Sequence, residues 1–257
     1  DFALFFVDPW TWAAKGWVPK APLVGREDRV FVLDFFGSDG LKNRALRVPP
    51  ERFLTAFPVH SMNTFLGYFM DGESVPRGVS KLPQGVIWGK DPKHYRGRER
   101  LLHAIAERVT LVSTARSGVV QHRNIQHRGH LTPQGWRRLL AESKFLIGLG
   151  DPLAGPSAVD AVASGCMYID PMYRRPVKGV YHSQHPYVAR AVPPEYVCSA
   201  HLDSIEEVLH CVDKALGQEL SPMVPADLTR DAYRTRLAAI LAEHAPADAT
   251  PPHPVAK

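Results

Sequence analysis

Short apolar runs alternate along this chain with stretches where apolar residues recur every three or four positions, the pattern of a layered α/β protein. Residues 2–7 and 30–36 read as strands, 50–57 as a short helix with Phe53, Leu54 and Phe57 on one face, and 63–69 as a further apolar segment. Residues 71–84 are rich in Gly, Ser and Pro, lack periodicity, and read as a linker. Beyond it the alternation is cleaner. Strands are predicted at 85–88, 109–113, 145–149 and 167–169, and helices at 98–108, 132–144, 157–164, 204–216 and 229–244. Thr132 followed by Pro133 signals a helix start, with Trp136, Leu139 and Leu140 on the core face. Ser204 and Glu207 fit a capping box, and Gly165 stands where a helix closes. A strand–helix series of this kind makes a mostly parallel, doubly wound sheet, whose ligands bind beyond the carboxyl ends of the strands.

Composition changes this picture little. The chain has 257 residues, enough for one or two domains, and a formal charge of +5. Its basic residues are dispersed apart from Lys90, Lys93, Arg96, Arg98 and Arg100, and no nucleic-acid motif accompanies them, so no nucleic-acid partner is expected. No apolar run reaches the roughly 20 residues of a membrane span. The first residues carry no basic secretory leader and begin abruptly on a strand-like segment, as in a piece of a longer protein. Cys166, Cys198 and Cys211 lack the spacing of a zinc site. Cys211, on an apolar helix face with Val208, Val212 and Ala215, reads as a buried thiol. An oxidising compartment would allow one disulfide, for example Cys166–Cys198.

The candidate chemistry lies in the loops after the strands. The run from Lys144 to Cys166 is a buried strand, a Gly/Pro-rich turn through Gly148, Gly150 and Gly155, and a helix of small residues. Free amides at such a helix start attract phosphate. Asp160, one turn in, either accepts hydrogen bonds from a ribose diol or, at capping-box spacing from Ser157, satisfies backbone donors. The loop 126–131 is either a plain connection or a frame for the edge of a base, with Leu131 against the ring. Lys90 either pairs with a diphosphate or is a surface lysine. His182 and His185 have a spacing that suits a metal only on a helix. The Pro186 that follows argues for a loop, so no metal site is expected. No Ser-His-Asp order, HExxH or Walker loop is present.

Phe145-Leu-Ile-Gly-Leu-Gly150, Gly155-Pro156, Asp160-Ala161, Gly165-Cys166 and Ser183-Gln-His-Pro-Tyr187 together resemble the donor-site segments of the N-glycan β1,6-N-acetylglucosaminyltransferases, glycosyltransferase family 18. Val32-Leu-Asp-Phe-Phe-Gly37, Phe53-Leu-Thr-Ala-Phe-Pro58 and Asn63-Thr-Phe-Leu-Gly67 match in order upstream. The resemblance implies a GT-B fold of two Rossmann-like domains, the first incomplete. Residues 1–80 would be the acceptor side, 81–245 the nucleotide-sugar domain and 246–257 a disordered tail. It implies metal-independent, inverting transfer of GlcNAc from UDP-GlcNAc to a mannose 6-hydroxyl of an N-glycan, without a cofactor. It also implies residence in the Golgi lumen as part of a type II membrane protein, whose anchor this chain does not contain. Carried residue by residue, His130 and Leu131 fall at the uracil edge, Asp160 at the ribose, and Gly155, Pro156 and Ser157 against the diphosphate. Lys90, Gln184 and His185 complete the donor set, with Lys178 a candidate for a donor-contacting lysine. The catalytic base is expected upstream of Asp1. Ala154 stands where the family has a glutamate, Asp160 shortens another, and Asn43 and Arg44 lie near an expected tryptophan. These departures leave two alternatives open: a catalytically silent nucleotide-sugar- or glycan-binding module, or a transferase with a different UDP-sugar.

Overall fold

The computed structural model describes residues 5–7, 29–37, 48–70, 75–115 and 119–244. The chain forms two units, one of residues 1–69 with 227–257 and the other of 70–226. The first contains a parallel sheet in the order β1 (Phe5–Val7), β2 (Val30–Leu33), β3 (Phe53–Thr55), β4 (Thr64–Phe65). The helix expected at 50–57 is absent. Pro50–Arg52 forms one 3-10 turn, and Phe53 to Phe57 are all buried. A helix would bury only one face of that run, whereas a parallel strand buries both.

The second unit runs β5 (Leu82–Trp88), α1 (Glu99–Ala106), β6 (Thr110–Ser113), β7 (Ile125–His127), α2 (Pro133–Glu142), β8 (Ser143–Gly148), α3 (Ser157–Ala163), β9 (Met167–Val177), β10 (Tyr181–Ser183), α4 (Pro186–Ala191), β11 (Val197–His201), α5 (Ile205–Leu216). Its parallel strands pair in the order β7-β6-β5-β8-β9-β11, and β10 folds back antiparallel on the far half of β9. This is the doubly wound order of dinucleotide-binding sheets, in which the winding reverses between the first strand and the fourth, here β5 and β8. Leu102, Ile105, Phe145, Ile147, Val208 and Val212, each fully buried, form the core between sheet and helices. Thr132, Ser204 and Thr229 cap their helices, each accepting an amide three residues on. Glu207 does not close the expected box. Its carboxylate takes the amide and ring Nδ1 of His201, at 2.9 Å each.

Two expectations about linkage are corrected. The disulfide joins Cys198 on β11 to Cys211 on α5, not Cys198 to Cys166, because the inner face of α5 packs on β11. Cys211 is therefore no free thiol; Cys166 is, sealed inside with burial pushing its pKa up to about 12. The last helix, α6 (Arg230–Glu243), also belongs elsewhere than in the expected 81–245 domain. It lays Tyr233, Leu237 and Ile240 against Phe31 and Leu54 of the first sheet and Leu66 just beyond β4. Arg236 fastens it there, donating to the Leu66 carbonyl at 2.8 Å with its guanidinium 4.4 Å from the Phe65 ring. Among the described residues no helix is long and apolar enough to cross a membrane. Asn43, Arg44 and residues 246–257 lie outside the described residues.

Candidate functional site

The reversal between β5 and β8 opens a crevice at the carboxyl ends of the second sheet, and four loops converge on it. The turn after β5 brings Lys90. It is anchored from below by Tyr95, whose hydroxyl donates to the Gly89 carbonyl (2.8 Å) and lies 2.8 Å from Ser113 Oγ. Thr114, buried, follows β6. The loop after β7 brings His130 and Leu131, and Thr132 then starts α2 by accepting the Gly135 amide at 3.1 Å. The turn after β8 brings Pro156 and Ser157. With Pro133, Trp136 and Asp160 these residues line a cavity of about 260 Å3. A second cavity of about 430 Å3 shares Lys90, Thr114 and His130 with it and extends over Asp91 and Pro92.

The local structure removes the capping reading of Asp160. The residue preceding α3 is Pro156, with no side-chain cap, so Ser157 and Asp160 form no capping box. Asp160 Oδ2 instead accepts the indole N–H of Trp136, 3.2 Å away on the neighbouring helix. Burial holds the Asp160 carboxyl above its ordinary pKa, while the Trp136 hydrogen bond and the charge of Arg137 act the other way.

The glycines of the 148–155 turn make room for the protein itself. A Cβ at Gly155 would lie 2.6 Å from the Trp88 ring, and one at Gly148 would lie 2.1 Å from Gln184 Oε1. Gln184 and His185 accordingly do not line the cavity. Gln184, fully buried, accepts the Gly150 amide (2.9 Å), donates to the Pro152 carbonyl (2.9 Å), and receives the Ala154 amide on its own carbonyl (2.8 Å). His185 caps α4 by accepting the Val188 amide on Nδ1 at 3.3 Å, which places its proton on Nε2, and the Gly155 backbone adjoins the ring. Burial depresses its pKa to about 3, so it stays neutral. His182 is exposed on β10 while His185 is enclosed, so the pair shares no face. Beneath them Asp170, fully buried, accepts the His185 amide at 3.0 Å; burial raises its carboxyl to about 6, against the hydroxyls of Ser183 and Tyr168.

Lys178 does not reach the cavity. It is exposed in the three-residue turn 178–180 between β9 and β10, where it and Gly179 both take positive φ (47° and 75°). Six expected residues thus share one cleft: Lys90, His130, Leu131, Pro156, Ser157 and Asp160. Gly155, Gln184 and His185 support its wall from behind. Sequence reasoning missed Thr114 and Pro133 and assigned Trp136 wholly to the core. The first unit has a cavity of its own, about 350 Å3, at the carboxyl ends of β2, β3 and β4. Phe35 and Phe36 stand exposed beside it, and buried Asp34 holds the turn by accepting the Phe36 amide at 3.0 Å.

Residues 44–251 match the sequence model of Glycosyltransferase family 18. The chain is 24% identical over 247 residues to alpha-1,6-mannosylglycoprotein 6-beta-N-acetylglucosaminyltransferase A of Homo sapiens and of Rattus norvegicus, covering 82% of this chain and 33% of each relative. The corresponding enzyme of Caenorhabditis elegans is 24% identical over 208 residues, covering 73% of this chain and 31% of that one. The chain therefore spans about a third of the length of the curated relatives it matches. Among solved structures, a glycosyltransferase of avilamycin A biosynthesis, AviGT4, is 13% identical with a TM-score of 0.48, over 84% of this chain and 67% of that one. The UDP-GlcNAc 2-epimerase of Methanocaldococcus jannaschii in complex with UDP-GlcNAc and UDP is 13% identical with a TM-score of 0.44, over 87% and 58%.

Proposed function

The chain belongs to glycosyltransferase family 18, and from that premise we propose that its second unit binds the UDP-GlcNAc of an inverting, metal-independent transfer to a mannose 6-hydroxyl of an N-glycan. The observation that carries this reading is the convergence of six separately expected residues on one cleft at the winding reversal of the sheet. Uracil lies over Leu131, its edge read by the backbone at His130 and Leu131. The ribose hydroxyls donate to Asp160. The diphosphate lies against Pro156 and Ser157 and extends into the larger adjoining cavity beside Lys90. Lys90 and the uncapped amides opening α3 supply positive charge where the departing UDP needs it, the part a divalent metal would otherwise play.

On the first unit, the exposed rings of Phe35 and Phe36 beside an apolar cavity suit the C–H face of an acceptor sugar. We assign the acceptor's base to no described residue. The disulfide between β11 and α5 supports maturation in an oxidising lumen, in keeping with a Golgi enzyme.

Calorimetry with UDP and UDP-GlcNAc in EDTA tests the reading. Both are expected to bind, and Asp160→Ala is expected to weaken both by about tenfold or more, the worth of a hydrogen bond to a charged group. Failure of UDP to bind overturns it. A second reading, a binding module without chemistry, is favoured among the described residues by Ala154. This residue holds a left-handed conformation (φ 43°) with its methyl group buried, at the place where the family it resembles has a carboxylate. Tight UDP-GlcNAc binding with no transfer by the full-length protein would select that reading.

A further inference from the structure

Trp136 has three features that core packing does not explain. Its helix is already anchored by Leu139 and Leu140, both fully buried, whereas Trp136 is half-buried with its ring in the wall of the cleft. Its indole N–H, a donor that can neither accept nor be deprotonated at ordinary pH, is directed at the one charged residue of α3. That residue, Asp160, sits among Ala158, Val159, Ala161 and Val162, all buried, and has no capping duty to perform. A short, partly buried carboxylate with apolar neighbours along its helix and the charge of Arg137 nearby still needs a directional donor to hold it in one orientation. Trp136 provides one from the side, occupying Oδ2 and leaving the remaining lone pairs of the carboxylate for a ligand in the cleft.

We infer that Trp136 is a positioning and specificity-determining residue. By holding Oδ2 of Asp160, it aims the carboxylate at the two vicinal hydroxyls of a ribose, so that the Trp136–Asp160 pair selects ribonucleotides over deoxyribonucleotides. The inference rests on the donor reading given above. Asp160 would contact the ligand; Trp136 acts through Asp160 and, by its ring, bounds the cavity. The chemistry requires two hydroxyl donors against one fixed acceptor group. A nucleotide lacking either hydroxyl leaves part of a desolvated carboxylate unmatched, which is where discrimination arises.

The test compares binding of UDP, 2′-deoxy-UDP and 3′-deoxy-UDP by calorimetry to the whole chain and to Trp136→Phe, Asp160→Asn and the double variant. Wild type is expected to bind UDP about 10–100-fold more tightly than a deoxy analogue, the range for a hydrogen bond to a charged group. Trp136→Phe keeps a smaller aromatic wall and removes the donor, and the ratio between nucleotides, unlike their absolute affinities, reads the donor. It is expected to bring that ratio below about threefold, and to add nothing further once Asp160 is Asn, as coupled neighbours require. Melting curves establish that each variant is folded, and Trp136→Tyr, with a side chain larger than that of Phe that also lacks the indole N–H, carries the test should Trp136→Phe not fold. A purely structural Trp136 would weaken all three nucleotides equally and leave the ratio unchanged, which overturns the inference. So does a wild type that binds UDP and its deoxy analogues alike. Absence of UDP binding by the wild type is a different outcome, because it sinks the donor reading itself.

Discussion

A carboxylate with no access to water lies directly under the proposed donor loop. Asp170 accepts the amide of His185, whose ring adjoins the Gly155 backbone, so its charge state is coupled to the wall of the cleft. Its folded-state pKa of about 6 lies above its ordinary 3.8, so between these values the folded protein holds a proton that the unfolded chain has released. The group therefore adds no penalty below about pH 4, and stability falls as pH rises through 6, by on the order of 3 kcal/mol. Asp170→Asn keeps the acceptor for His185 and removes the buried charge. We expect it to stabilise the protein at pH 7.5 by up to that amount and to be neutral at pH 4, as read by urea denaturation at both values. An equal effect at the two pH values would show that the carboxylate is not ionised in the fold.

The cleft is legible at this scale because its loops follow predicted strands and resemble the donor segments of the family; read by themselves, Asp160, Lys90 and the 126–131 loop each leave a structural alternative open. What stays illegible is orientation. The helical period places Trp136 on the same face as Leu139 and Leu140, yet it cannot say that the large ring reaches the rim of that face, with its N–H toward another helix. Gln184 and His185 look like ligand contacts because they are polar and lie in a recognisable motif. Their hydrogen bonds show that a loop of glycines and prolines has backbone groups of its own to satisfy.

Among the elements, those of the second unit are the more readable, since strands and helices alternate there with capping residues at the joints. The 50–57 segment misleads because a continuous apolar run does not distinguish one face of a helix from a strand buried on both sides. The cysteine pairing is beyond periodicity altogether, because it depends on which helix covers which strand. That staple between β11 and α5 closes a loop of 13 residues at the sheet edge, where β11 has β9 as its only neighbour among the described strands. Chain-entropy reasoning for a loop of this length gives about 3 kcal/mol. Cys211→Ser, or reduction of the wild type, is expected to lower the denaturation free energy of this unit by roughly that amount. Denaturant titrations with and without dithiothreitol check this; coincident curves would contradict it.

At the scale of the molecule, the chain builds most of its first unit, crosses to make the whole of the second, and returns with α6 to finish the first. A chain ending at Ala226 therefore retains every residue proposed to contact UDP but loses the cover over Phe31, Leu54 and Leu66. Such a chain is expected to keep UDP affinity within about threefold while the amides of β2 and β3 lose hydrogen-exchange protection. Loss of UDP binding on the same truncation would mean that the second unit does not stand alone.

The same return has a consequence in time. On the ribosome the strands of the first unit emerge early, yet the helix that seals them is encoded after residues 70–226. At about 5–20 residues per second, Phe31, Leu54 and Leu66 wait roughly 9 to 40 s for Ile240, and by then every residue of the second unit has been made. Late in that interval the nascent chain carries one complete unit and one uncovered sheet. The helix that reads as the last element of the sequence thus sets the moment at which the first sheet is sealed.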